Sequence, residues 1–356
     1  MPGCYTARHW RAGLRAVASA LVLILVGCGD DGTAPTSQPA PTADTTAAAP
    51  PGTAPPDTVP PADTSTTPPS DTTVDSTATP PDDSPGSPVP GIAFGSFEMQ
   101  PHFLSRVHTG TVRAGGLSLT NIIPLLDQAR AKGARVVLRL CMGRDKFVKN
   151  SDGTFSLTKW KALVDRFTTV DLTPYIADGT ILGHFLIDEP SRASKWGGKA
   201  ITQATVEEMA RYSKRLWPEM TTIVRAPPTW LAEAPMSYTD LDAGWAQYRA
   251  SKGEVGKWIS DEVAAAKSRG LGLVVGMNLL DGGNGSSRIP GWTKGLYAMS
   301  ASEITSYGTE LLSQSYACGF FMWMHDTTYY GRSDVQAAME GLSAKAKSHS
   351  RTSCRQ

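Results

Sequence analysis

The stretch Gly179-Thr-Ile-Leu-Gly-His-Phe-Leu-Ile-Asp188-Glu189-Pro190 decides how the chain is read. Ile181 to Ile187 is a near-continuous apolar run, of strand length and too short for a membrane-spanning helix. Strands buried on both faces of a parallel sheet read this way. Gly179 opens the run and Pro190 closes it, because a residue with no N–H and a fixed φ takes the chain out of the sheet. Two adjacent carboxylates stand at the C-terminal end, where parallel barrels hold their chemistry. The same pair also fits a solvated turn that merely follows a strand.

On either side of this run, strand and helix patterns alternate. Upstream, Ile92–Glu98 and Val107–Arg113 read as the first two strands, Thr120–Ala131 as a helix stopped at Gly133, Arg135–Leu140 as the third strand and Leu157–Phe167 as a helix with Thr158 as its cap. Downstream, Thr205-x-x-Glu208 forms a capping box for a helix that runs to Trp217, before Pro218. Thr222–Ala226, Ala243–Tyr248, Leu271–Asn278 and Phe320–His325 supply strands five to eight. Glu254–Ser268, Ser300–Ala317 and Asp334–Lys347 supply the helices between and after them. Repeated βα units predict a parallel sheet, and eight strands predict its closure into a single (β/α)8 TIM barrel, an α/β fold, over residues 91–350, with 351–356 as a tail. A doubly wound open sheet is the alternative; no GxGxxG follows the first strand and no phosphate-binding GKS/T loop is present.

In a closed barrel all strand C-termini share one mouth. The polar residues placed there include Asp188, Glu189, Arg139, Arg225, Gln247, Tyr248, Asn278, Asp281, Trp323 and His325, with Glu98, Arg113, Trp245 and Asp326 beside them. Aromatic faces suit the C–H faces of sugar rings, and amides and charges suit hydroxyls, so the mixture points to a carbohydrate. Trp323, Trp245 and Tyr248 equally serve as barrel filling, and His325 as a structural histidine. Arg139 and Arg225 either neutralise Asp188, Glu189 or Asp281, or, left unpaired, favour an anionic sugar.

These strand ends resemble the large glycoside-hydrolase clan that carries Asn-Glu at the end of strand four and an aromatic, often Trp, at the end of strand eight. Here the positions read Asp188-Glu189 and Trp323. The resemblance implies that Glu189 is the general acid/base and that Asp188 either acts as a neighbouring like charge or replaces the Asn that binds a sugar hydroxyl. It also implies a Glu nucleophile at the end of strand seven, but that strand ends Gly-Met-Asn278-Leu-Leu-Asp281, with no Glu. Asp281 is therefore the second catalytic candidate, with Asp326 and Glu98 as alternative bases, and Asp188, Arg139, Arg225, Gln247, Tyr248, Asn278, Trp323 and His325 are the substrate-binding candidates. The chain also resembles bacterial proteins that share its Asp188-Glu189-Pro190, Trp245-Ala-Gln-Tyr248 and Met299-Ser-Ala segments, a likeness that carries no activity with it. Two functions stay open: a glycoside hydrolase, or a non-catalytic carbohydrate-binding or cell-envelope protein on the same barrel.

Residues 1–27 read as a signal peptide. Arg8, Arg11 and Arg15 form its positive start, and an apolar run from Ala16 to Val26 leads to Leu25-Val26-Gly27-Cys28. This ending resembles the lipobox of bacterial lipoproteins, which implies acylation at Cys28 and anchorage to an envelope membrane on its extracytoplasmic side. An uncleaved N-terminal anchor is the alternative. Residues 29–90 hold no Lys, Arg or aromatic residue and are rich in Pro, Thr, Ala and Asp, a composition that cannot offset the entropy of ordering. Fully extended, this linker would reach about 190 Å. The folded part carries 31 Lys and Arg against 24 Asp and Glu, unclustered, so no nucleic-acid partner is expected. The cysteines show no ligand spacing, and neither a metal nor a cofactor is expected. Cys318, placed just before strand eight, and Cys354, just past the last helix, both fall at the bottom of the barrel and are expected to pair, whereas Cys141 lies at the top.

Overall fold

The computed structural model describes residues 89–351 and 353–355; the signal segment, Cys28 and the linker to residue 88 lie outside the described residues. Eight parallel strands, β1 (Ala93–Phe97), β2 (Gly110–Arg113), β3 (Arg135–Leu138), β4 (Ile181–Asp188), β5 (Thr222–Arg225), β6 (Ala243–Tyr248), β7 (Gly272–Met277) and β8 (Ala317–Met322), pair in chain order. β1 also pairs with β8, so the barrel is closed as the alternation predicted. Around it run α1 (Ile122–Arg130), α2 (Leu157–Asp165), α3 (Thr173–Ala177), α4 (Gln203–Leu216), α5 (Pro228–Ala232), α6 (Val255–Ser268), α7 (Ala301–Leu312), α8 (Thr327–Tyr330) and α9 (Ser333–Lys347).

The strand period of two sorts side chains into two cores. Along β6, Ala243 and Trp245 point into the barrel with Phe97, Val137, Phe185, Ile223, Val274 and Phe321. Ala246 and Tyr248 join the larger apolar layer between sheet and helices. β4 is buried over nearly its whole length, the state its apolar run announced.

Several boundaries differ from the sequence reading for identifiable reasons. α4 begins earlier than the Thr205 box, because Thr202 Oγ1 accepts from the Thr205 amide at 3.2 Å and caps the helix, while Glu208 turns to Lys161 at 2.8 Å. Ser156, not Thr158, caps α2. The Ser300 capping box forms with Glu303 as read. α7 stops at Leu312 rather than Ala317, and β8 starts at Ala317, because the small residues Ala317 and Gly319 pair with Leu273 and Val274 of β7. Cys318 thus lies inside β8, at its lower end, and His325 falls three residues past it.

Cys318 and Cys354 form the expected disulfide, with Cα atoms 5.1 Å apart and both residues buried. The segment after residue 350, read as a tail, packs under the barrel: Arg355 pairs with Glu219 at 2.7 Å. Gly272 at the start of β7 makes room for it, since a Cβ there would stand 2.3 Å from the Cys354 carbonyl oxygen. Closing a loop of this length typically contributes roughly 2–4 kcal/mol. Cys141 remains a free, buried thiol.

His184 of β4 is fully buried against Trp160, with Nδ1 2.8 Å from Ser213 Oγ on α4. Burial pushes its pKa down from 6.5 to about 3. The folded protein therefore keeps the ring neutral where the unfolded chain already binds a proton. Its contribution to stability is intact above pH 6.5 and is lost as the pH falls from there towards about 3. His184→Gln is expected to be less stable than the parent near neutral pH, and urea denaturation should show this gap narrowing on acidification, by up to about 1.4 kcal/mol per pH unit.

Candidate active site

The register between β4 and β5 builds the centre of the mouth. It shifts after Phe185, so that Asp188 sits beside Arg225 as its strand partner. The Glu189 amide continues the ladder to the Arg225 carbonyl at 3.0 Å. Glu189 then turns into the left-handed region, with φ of 49°. A non-glycine residue held there typically costs about 1–3 kcal/mol, and such strain concentrates at functional positions. Trp196, fully buried, donates its indole N–H to the Glu189 carbonyl at 2.9 Å and fixes the turn that follows.

That turn brings cations back over the carboxylates. Lys195 Nζ lies 2.6 Å from Asp188 Oδ2, 3.0 Å from Asp145 Oδ2 and 3.7 Å from Glu189 Oε2. Arg192 reaches Glu189 Oε2 at 3.4 Å. Arg225 spans both acids: Nε stands 2.8 Å from Asp188 Oδ1, an ion pair not aligned as a hydrogen bond, and Nη2 donates to Glu189 Oε1 at 3.1 Å. Burial alone would raise the Asp188 carboxyl, but Arg225, Lys195 and Arg139 outweigh it and hold Asp188 below the usual carboxylate range.

A cavity of about 640 Å³ opens above these residues, within the range of roughly 300–1,000 Å³ typical of small-molecule sites. Of the residues read from the sequence, Asp188, Glu189, Arg225, Gln247, Tyr248, Asn278, Asp281 and Trp323 line it, together with Trp245. Asn278 and Trp323 are neighbours across the ends of β7 and β8, and Asn278 Oδ1 accepts from the Asp281 amide at 3.0 Å. Both Asp281 oxygens are engaged by Thr293, Oδ1 by its N–H at 2.9 Å and Oδ2 by its hydroxyl at 2.8 Å. Tyr248 is 1% exposed and its hydroxyl donates to the Gly253 carbonyl, so it supports the wall more than it presents a face.

Two substrate-binding candidates do not line this cavity. Arg139 is buried and bound to Asp145 Oδ1 at 2.6 Å, over the Phe185 ring. His325, beyond the end of β8, stacks with Phe103 and Tyr330 at 4.6 and 4.9 Å, and burial lowers its pKa. The alternative bases are also occupied elsewhere: Glu98 Oε1 accepts from the Ala114 and Gly115 amides at 2.9 and 2.6 Å, and Asp326 caps α8.

Sequence reasoning missed Lys195, Arg192, Arg249, Lys252, Trp258, Thr293 and Leu296. All but Lys195 line the cavity. The cations at Arg192 and Lys195, shortly after the acid pair, were a readable signal; the loop residues were not, since their reach depends on how the loop folds. Among the described residues no group of His, Cys, Asp and Glu is placed to hold a metal ion, and no helix is long and apolar enough to cross a membrane.

Fold and mouth together define a closed (β/α)8 barrel whose strand C-termini surround a cavity lined by acids, cations and aromatic rings. A β-glucanase from Saccharophagus degradans shares the fold with a TM-score of 0.51 at 10% identity, over 72% of this chain and 88% of that one. A cellulase in an inhibitor complex aligns with a TM-score of 0.49 at 12% identity, over 71% and 92% of the two chains. A β-1,4-mannanase aligns with a TM-score of 0.47 at 12% identity, over 73% and 99%. No protein-family model matches the chain, and no curated protein matches it in sequence.

Arg225→Met removes one of the two cations that reach both acids, leaving Lys195 as the other. The expected cost is about 3 kcal/mol, at the low end for unpairing a buried charge because Lys195 still neutralises Asp188. Thermal denaturation should register this as a fall in Tm of roughly 6–12 °C. Arg225→Lys should recover only part of it, since an ammonium cannot span both carboxylates as the planar fork does.

Proposed function

We propose that the chain is a lipid-anchored, extracytoplasmic protein whose barrel mouth binds a carbohydrate and hydrolyses a glycosidic bond. The observation that carries this reading is that Glu189, from the end of β4, and Asp281, from the loop after β7, face one cavity with Trp323 beside it. Glycoside hydrolysis needs two carboxyl groups flanking the bond, one to protonate the leaving oxygen and one to attack the anomeric carbon or activate a water. Glu189 takes the first role as general acid/base. Asp281 takes the second, in place of a strand-seven Glu. Its position is set by Thr293, so the loop rather than the strand fixes the separation that selects retention or inversion. The Saccharophagus degradans protein that shares the fold is a β-glucanase, which supports a carbohydrate by analogy of fold alone.

One observation favours a second reading, binding without turnover. Both oxygens of Glu189 are already engaged, Oε1 by Arg225 and Oε2 by Arg192 and Lys195. A hydrolase must release one of them as the substrate enters.

Glu189→Gln in the full-length chain separates the two. Under the hydrolase reading, a screen of oligosaccharides finds turnover, and the variant loses about 10²–10⁴-fold of it while still folding. Binding without turnover, unaltered by the substitution, supports the second reading instead.

The membrane anchor rests on the Leu25-Val26-Gly27-Cys28 segment. Acyl chains at Cys28 would hold the protein at a bilayer, each buried CH₂ adding about 0.8 kcal/mol. Labelled fatty acid fed to a bacterial host is expected on the parent chain and absent from Cys28→Ser, which should leave the membrane fraction or persist as precursor. Label retained by Cys28→Ser, or missing from the parent, would refute the anchor.

A further inference from the structure

One wall of the mouth is made of donors with nothing to donate to. Trp245, 1% exposed, lines the cavity, and its indole N–H has no acceptor among the described residues. The same holds for Nη1 of Arg225, whose other nitrogens hold Asp188 and Glu189, and for the buried amide nitrogen of Gln247. The three residues lie on the adjacent strands β5 and β6, and all line the cavity. Buried donors in folded proteins are almost always satisfied, so three in one wall call for an acceptor brought from outside.

Cations continue this wall to the rim. Arg249 directly follows β6 and Lys252 stands a few residues on; both are exposed and both line the cavity. Among the described residues neither side chain makes a hydrogen bond or an ion pair. The acids of the mouth are differently placed: Asp188 and Glu189 are held by Arg225, Lys195 and Arg192, and Asp281 by Thr293. Arg192, Arg225, Arg249 and Lys252 line the cavity with Asp188, Glu189 and Asp281; Arg249 and Lys252, which follow β6, make no hydrogen bond or ion pair among the described residues, though Lys252 also interacts electrostatically with Glu262.

A neutral sugar offers hydroxyls, which donate as well as accept, and would find little on this wall to accept from it. A carboxylate only accepts, carries the complementary charge, and matches the planar fork of an arginine. We infer that the mouth takes a sugar bearing a carboxylate, a uronic acid, with that group against Trp245, Gln247 and Arg249. This rests on the reading of the ligand as a carbohydrate and adds its chemical class. It also centres the anion recognition on β6 and the residues after it: Arg139 is held by Asp145, and Arg225, bound to both acids, has only Nη1 left to donate.

The test is calorimetric titration of the full-length chain with oligosaccharides of glucuronic and galacturonic acid, and with the neutral glucose and galactose oligosaccharides of the same linkage and length. The acidic ligands are expected to bind at least tenfold more tightly, with a preference that shrinks as salt is raised. Arg249→Ala, at an exposed position, should lose most of that preference. Trp245→Phe keeps an aromatic ring but removes the N–H, and should weaken the acidic ligand about tenfold relative to the neutral one, whatever the smaller ring costs in Tm. Neutral ligands bound as tightly as acidic ones, or a preference that survives Arg249→Ala and Trp245→Phe, would overturn the uronic-acid assignment and leave the carbohydrate reading standing. No binding of either kind would overturn both.

Discussion

Pairing of β1 with β8 closes the sheet, and everything at the mouth depends on that closure. An open parallel sheet would scatter its strand ends along a line. A closed one gathers them around a single opening, so side chains far apart in sequence come to share one cavity. Asp188 and Asp281 belong to the fourth and seventh βα units, yet both line the same space. The closure is reinforced from below, where Cys354 is bonded to β8 and its carbonyl presses against Gly272 of β7.

Within the mouth, charge balance sets what each acid can do. Asp188 is largely buried and bound on both oxygens, so its work is to hold Arg225 and Lys195 in place. Glu189 is more exposed, sits on strained backbone and shares the same cations. Neighbouring carboxylates thus divide into an anchor and a group that faces the cavity. The arginine between them bridges both, as Lys195 also does: it neutralises the anchor, restrains the facing group, and still has one nitrogen without an acceptor.

The β6 side of the mouth follows a different logic. β6 alternates, so Trp245 and Gln247 look into the barrel axis while Ala246 packs outward. Gly276 on the neighbouring strand leaves space there; a Cβ would come within 3.4 Å of the Trp245 indole nitrogen. The result is an apolar floor whose edge is polar and electron-poor.

The architecture was legible in the chain because each signal is local: apolar runs for buried strands, capping boxes and glycine stops for helices, and their alternation for a parallel sheet. Glu189 and Trp323 could be placed at the mouth for the same reason, since a strand end is known once its strand is known. The pairing of Cys318 with Cys354 followed from which end of the barrel each must occupy. The tertiary structure alone decided the rest. It gave Arg139 to Asp145, kept His325 off the cavity in an aromatic cluster past β8, and folded the 189–196 turn so that Lys195 returns to Asp188. It also left the Trp245 N–H unpaired and turned Arg249 and Lys252 into the opening. A residue's own neighbours in sequence fix whether it forms strand or helix. Which charge meets which, and which donor is left over, depends on register shifts and loop paths, and those are set by packing between segments distant in the chain.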